Sequence, residues 1–185
     1  MDSMGKIILV TGGARSGKST FAEDLLKGND DVLYIATSII TDEEMEDRVK
    51  KHIERRNHNW ETYEGYLDLH KALEKSKKNY ALLDCVTIMT TNIMFSEDKD
   101  LEEISMEEVD EITAKIKDEF YKLITKAKEM DKTLVMVTNE VGLGVVPPTK
   151  LGRIFRDVSG FVNQYIGSLS DEIYLVCCGQ PLKIK

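Results

Sequence analysis

Gly12-Gly13-Ala14-Arg15-Ser16-Gly17-Lys18-Ser19 packs three glycines, two cations and two hydroxyls into eight residues, directly after the apolar run Ile7-Ile8-Leu9-Val10. A structural turn needs one or two of these residues, and the surplus suits an anion. The spacing satisfies G-x-x-x-x-G-K-[ST], set between an expected strand and an expected helix as phosphate chemistry requires. Glycines let the backbone wrap with its amide hydrogens inward, and the helix start adds a positive dipole end. Lys18 then reaches the β and γ phosphates, and Ser19 offers a hydroxyl to Mg2+. A chance match in a chain of this length is on the order of one in a hundred, and the strand-to-helix setting lowers that further. Asp84 closes the run Tyr80-Ala81-Leu82-Leu83 and is the candidate carboxylate for ordering Mg2+, although a strand-ending aspartate also serves to turn a chain or cap a helix.

A second constellation lies in TSIITDEEMEDRVKKHIERR. Thr41 followed by Glu44 resembles a capping box, which predicts a helix from about Asp42 to Arg56. Met45, Val49 and Ile53 form one stripe on it, and Arg48, His52 and Arg56 an adjoining one. A lone helical histidine is ordinarily incidental. Two flanking guanidinium groups nonetheless attract a polyphosphate and favour a neutral, nucleophilic ring.

The elements that would hold these residues follow from patterning. Near-continuous apolar runs at Lys6–Thr11, Val32–Ala36, Tyr80–Cys85, Thr133–Thr138 and Glu172–Cys177 predict strands covered on both faces. Helical stretches are expected near Lys18–Leu26, Asp42–Arg56, Leu67–Lys75, Val86–Phe95, Met106–Met130 and Lys150–Leu169. This alternation predicts an α/β fold with a mostly parallel sheet flanked by helices, in a single domain over residues 1–185. The acidic stretch Ser96–Ser105 reads as an exposed, solvated connection. Thr138–Pro147, with two glycines and a proline, reads equally as a plain connection or as the lining of a pocket or subunit contact.

Charge and composition set limits. Twenty-five basic against thirty-three acidic residues leave a net charge of -8, which argues against nonspecific nucleic-acid binding. No run approaches the ~18 apolar residues of a membrane span, and the start MDSMGK shows no secretory pattern, so a cytoplasmic enzyme is expected. Cys85, Cys177 and Cys178, odd in number and two of them adjacent inside an apolar run, read as reduced, buried thiols.

The blocks VTGGARSGKS, VLYIATS, DEEMEDRVKKHIERR, LLDCVT, TNEVGLGVVPPTKLGRIFRD and PLKIK together resemble the bifunctional adenosylcobinamide kinase and adenosylcobinamide-phosphate guanylyltransferase family of cobalamin biosynthesis, from about Gly5 to Lys185. The resemblance implies a RecA-like P-loop fold, assembly as a homotrimer, and two reactions on one cobinamide substrate. The aminopropanol hydroxyl of adenosylcobinamide is phosphorylated by GTP or ATP. Adenosylcobinamide phosphate then accepts GMP from GTP through a guanylylated histidine, releasing pyrophosphate. The matching histidine is His52; His58 and His70 match nothing catalytic. Nucleotide contacts implied by the resemblance fall on Gly12–Ser19, on Ala36, Thr37 and Ser38, on Ile53, Glu54, Arg55 and Arg56, and on Glu64 and Asp84. Ser19 and Asp84 would hold Mg2+. Ala36–Ser38 suit the role because they leave a strand at the sheet edge where α/β proteins place ligands. Guanylyl transfer alone, or a nucleotide-gated binding module without group transfer, are the competing readings.

Overall fold

A computed structural model describes residues 5–39, 57–96 and 100–185. The expected helix over 42–56, and with it His52 and Ile53–Arg56, lies outside the described residues. The described residues form twelve elements in chain order: β1 (Ile7–Gly12), α1 (Lys18–Asp24), β2 (Val32–Ala36), β3 (Glu61–Glu64), α2 (Leu69–Lys75), β4 (Tyr80–Asp84), α3 (Val86–Ser96), α4 (Met106–Glu129), β5 (Thr133–Asn139), α5 (Lys150–Leu169), β6 (Glu172–Cys177) and β7 (Gln180–Lys183).

The strands form one sheet in the order β3-β2-β4-β5-β1-β6-β7. All neighbours are parallel except β7, which returns antiparallel on β6. One strand, β5, separates the strand that feeds the phosphate loop from the strand that ends in Asp84.

Alternation along the central strands divides the core in two, because successive side chains leave opposite faces. Ile7, Leu9, Leu33, Ile35, Leu83 and Met136 point to the face covered by α2, α3, α4 and α5, where Phe120, Ile116 and Leu73 are fully enclosed. Ile8, Val10, Val32, Tyr34, Leu82 and Val137 point to the other, packed among the described residues by Ala22 and Leu26 from α1 and its exit and by Trp60. Each such side chain contributes about 1.5–3 kcal/mol on burial, so the sheet is anchored at its middle and weakest at its edges.

Local chemistry fixes the helix starts. Ser105 and Glu108 make a reciprocal capping box ahead of α4, and the Thr149 hydroxyl accepts from the Gly152 amide at the start of α5. Two expectations are corrected. The acidic connection before α4 is not simply solvated: Leu101 and Ile104 are buried in the core, and the Lys150 ammonium donates to the Glu102 and Ile104 carbonyls to hold them there. Nor are all three thiols internal. Cys85 is buried, whereas Cys177 and Cys178 are exposed, because Cys177 is the last paired residue of β6 and Cys178 lies in the turn that leads to β7.

Candidate functional site

Parallel strands end together, so the topology gathers several of the singled-out residues along one edge of the sheet. In register, Ala36 of β2 stands beside both Glu64 of β3 and Asp84 of β4, and Gly12 of β1 stands beside Asn139 of β5. The Glu140 amide donates to the Gly12 carbonyl at 3.0 Å, extending this line past the strand ends.

At the phosphate loop, Arg15 (φ 58°) and Gly17 (φ 93°) both take left-handed conformations, which turn the chain back on itself before α1. The Ser16 amide donates to the Gly13 carbonyl at 3.2 Å and closes the turn. A side chain at Gly12 would put its Cβ 2.5 Å from the Val176 carbonyl and 2.6 Å from the Ser16 hydroxyl, so only glycine fits. No side chain among the described residues caps α1. The Ser16 hydroxyl is buried and has no hydrogen-bond partner among the described residues, an orphaned polar atom inside the loop. Lys18 is buried, its ammonium donates to the Gly13 carbonyl at 3.1 Å, and burial holds its pKa below the usual lysine value against the opposing pull of the Cys85 and Asp84 charges. A desolvated cation beside the loop is held ready for an anion, since a charge out of water gains most from a partner.

Asp84 is half-buried, and the Tyr34 hydroxyl on the neighbouring strand donates to its Oδ2 at 3.2 Å. Next to it the Cys85 thiol is pushed up to about 12, first by burial and then by the Asp84 charge, which makes it an inert core group. Ser19 and Asp84 offer only hydroxyl and carboxylate oxygens. Such hard donors suit Mg2+, which keeps several waters and takes one or two protein oxygens beside substrate phosphates.

Thr37 sits at the edge as expected but faces inward. It is 1% exposed, and its hydroxyl donates to the Cys85 carbonyl (2.9 Å) while accepting from the Cys85 amide (2.8 Å). Its own carbonyl accepts from Asn92 at 2.7 Å. Thr37 therefore stitches the end of β2 to the end of β4, and of the three residues Ala36 and Ser38 are the half-exposed ones. Glu64 is exposed at the far end of the edge, four strand spacings or about 19 Å from the loop-bearing strand.

Two groups escaped the sequence reading. A polar knot of Thr87, Thr138 and Asn163 fixes Asn139: the Thr87 hydroxyl accepts from the Asn139 amide (2.8 Å), and Asn163 accepts from Thr138 (2.7 Å) while donating to the Asn139 carbonyl (3.1 Å). The turn of the β6–β7 hairpin also leans on the phosphate loop, with the Gly179 amide donating to the Ser16 carbonyl at 2.8 Å. The glycine after two cysteines was the one available signal for that turn. Past β5, Leu143, Val145 and Val146 are exposed, the valine at 145 almost completely.

Fold and site together define a P-loop α/β protein with its phosphate loop and a carboxylate on one sheet edge. A family model described as cobinamide kinase / cobinamide phosphate guanyltransferase matches residues 8–184. The chain is 42% identical over 183 residues to the bifunctional adenosylcobalamin biosynthesis protein CobU of Escherichia coli, covering 97% of this chain and 99% of the relative. It matches the Salmonella typhimurium protein of the same description at the same identity and coverage, and the CobP protein of Pseudomonas aeruginosa at 33% identity over 96% of each chain. The chain belongs to the cobinamide kinase / cobinamide phosphate guanyltransferase family, and is a bifunctional kinase and guanylyltransferase.

Proposed function

We propose that residues 1–185 act as one catalytic domain that phosphorylates the aminopropanol hydroxyl of adenosylcobinamide and then transfers GMP from GTP to adenosylcobinamide phosphate. The observation that carries the reading is the phosphate loop itself: a buried Lys18 and a turn built on left-handed Arg15 and Gly17, on the same sheet edge as Asp84. In the first reaction the loop amides of Gly12–Ser19 and the Lys18 ammonium hold the β and γ phosphates of GTP or ATP. Lys18 exchanges its bond to the Gly13 carbonyl for a phosphate oxygen. The substrate hydroxyl attacks the γ phosphorus, a nucleoside diphosphate leaves, and the hydroxyl proton passes to solvent.

In the second reaction His52 attacks the α phosphorus of GTP and pyrophosphate departs. A phosphate oxygen of adenosylcobinamide phosphate then displaces the imidazole, so one difficult transfer becomes two easier ones. This role for His52 rests on the resemblance of DEEMEDRVKKHIERR to the family's histidine segment, as do nucleotide contacts from Ile53, Glu54, Arg55 and Arg56. Ser19 and Asp84 would hold Mg2+, which when bound neutralises phosphate charge. Glu64, at the far end of the edge, and Ala36 and Ser38 would contact the guanine nucleotide. A homotrimer is the proposed assembly, and the exposed Leu143, Val145 and Val146 supply apolar surface that association of copies would cover. The setting proposed is cytoplasmic; no helix among the described residues is long and apolar enough to cross a membrane.

Incubation with GTP labelled at the α phosphate is the test. The wild type should carry acid-labile, alkali-stable label and His52→Ala none; two unlabelled proteins would end the transferase mechanism. Conversion of unphosphorylated adenosylcobinamide with ATP or GTP tests the kinase half separately.

A further inference from the structure

Successive side chains of an extended strand point to opposite faces, so neighbouring cysteines are normally held apart. Cys177 and Cys178 are not. Cys177 pairs with Gln180 across the hairpin, leaving Cys178 and Gly179 as the two central turn residues, both left-handed at φ 52° and φ 76°. This is the backbone of a tight primed turn. The left-handed residue swings the second thiol round onto the first, and the two Sγ atoms stand 3.9 Å apart, both on exposed residues. Two thiolates on a tetrahedral d10 cation, with metal–sulfur bonds of about 2.3 Å, are about 3.8 Å apart. The pair is thus already spaced for chelation. A disulfide fits less well, since consecutive Cα atoms across a trans peptide are about 3.8 Å apart, below the usual disulfide range.

The same turn bears on the phosphate loop. The Gly179 amide donates to the Ser16 carbonyl at 2.8 Å, and a Cβ at Gly17 would lie 3.2 Å from the Gly179 Cα. Lys18 donates to the Gly13 carbonyl of this same loop, so a nucleotide that draws the ammonium away acts on the segment to which the turn is bonded.

We propose that Cys177 and Cys178 form a two-thiolate site for a soft divalent cation of the zinc and cadmium kind, joined to the phosphate loop so that its occupancy weakens nucleotide binding. The coupling rests on the nucleotide-binding reading above; the metal site does not. Binding is a proton exchange without redox change: both thiol protons leave to solvent, two sulfur–metal bonds form, and two positions remain for water. Because both sulfurs must lose their protons to bind the cation, occupancy rises with pH.

The experiment uses cadmium ion as probe on the whole chain. One equivalent should produce an ultraviolet thiolate-to-cadmium band and protect two otherwise reactive thiols per chain. Cys177→Ser and Cys178→Ser should each weaken cadmium binding on the order of 100-fold while keeping wild-type nucleotide affinity in metal-free buffer. Cadmium should lower GDP affinity about fivefold in the wild type and not in either variant, and GDP should lower cadmium affinity by the same factor. Equal cadmium binding by wild type and both variants, or continued reactivity of both thiols, overturns the site. A normal site with unchanged GDP affinity overturns the coupling, whereas failure of the metal-free wild type to bind GDP overturns the underlying nucleotide reading instead.

Discussion

Replacing Thr37 by valine keeps the shape of the side chain and removes one buried hydroxyl, and the cost can be worked from its partners. The Cys85 carbonyl loses the Thr37 donor but keeps the Met89 amide at 3.1 Å. The Cys85 amide, whose partner is the Thr37 hydroxyl at 2.8 Å, is left buried and unpaired. An orphaned buried donor costs about 1–3 kcal/mol, so Thr37→Val should destabilise the nucleotide-free protein by about 2 kcal/mol. Thr37→Ser keeps both hydrogen bonds and loses one methyl group, a cost of about 0.8 kcal/mol. The expected order, valine worse than serine, is the reverse of what side-chain volume alone would give. Urea denaturation of the three proteins without nucleotide reads it directly, with unchanged denaturant slopes showing that the native and unfolded states stay comparable. Serine costing as much as valine, or valine within 0.5 kcal/mol of wild type, would refute the stitching role. A valine variant of normal stability but reduced GTP affinity would instead make the hydroxyl a nucleotide contact.

Gly17→Ala puts a Cβ on a left-handed residue and against the β6–β7 turn, and should lower stability by about 1–2 kcal/mol in urea unfolding, together with GTP affinity. Lys18→Ala removes a charge-assisted phosphate contact and should weaken GTP binding roughly 10–100-fold by calorimetry, with little loss of stability because a buried, desolvated cation goes with it. Glu172 is held at about 2 by hydrogen bonds from Lys6, Tyr174 and Lys183, below its ordinary 4.5. A depressed carboxyl pKa contributes stability above the unfolded value that is lost as pH falls through the folded one. The stability gap between wild type and Glu172→Gln should therefore be full above pH 4.5 and close towards pH 2. Its size should be only ~1 kcal/mol, since both lysine partners are half-exposed.

The strands that were legible in the sequence are those whose burial writes itself into composition. Val32–Ala36 is four buried residues and a half-buried one, and its apolar run needs no context. β3 and β7 carry no such signature: Glu61-Thr62-Tyr63-Glu64 is exposed at three of its four positions, and Gln180–Lys183 at all four. Both are edge strands, held by the ladder hydrogen bonds of a neighbour rather than by side-chain burial. Pro181 fits β7 because an edge strand has a side without a partner. Leu101 and Ile104 were masked for a related reason. Two apolar residues among acidic ones score as a solvated loop, and only the packing of α4 and α5 beneath them gives them somewhere to go.

The site divides along the same line. A phosphate loop is a local object whose turns, glycines and cation lie within eight residues, so sequence alone could find it. What holds that loop and its carboxylate in place is not local. Tyr34 reaches Asp84 across 50 positions, Thr37 binds Cys85 across 48, and Gly179 meets Ser16 only because β6, which leads into its turn, pairs with β1. No spacing rule links such pairs, and each residue type is unremarkable where it stands: a tyrosine in a strand, a threonine after one, a glycine in a turn. The misplaced cysteines belong here too. An apolar run predicts buried side chains only while the strand lasts, and where β6 gives way to its turn is set by its pairing with β7. Chemistry written in a single segment can therefore be read from that segment, whereas the supports that position it depend on strand order and become visible only once the sheet is assembled.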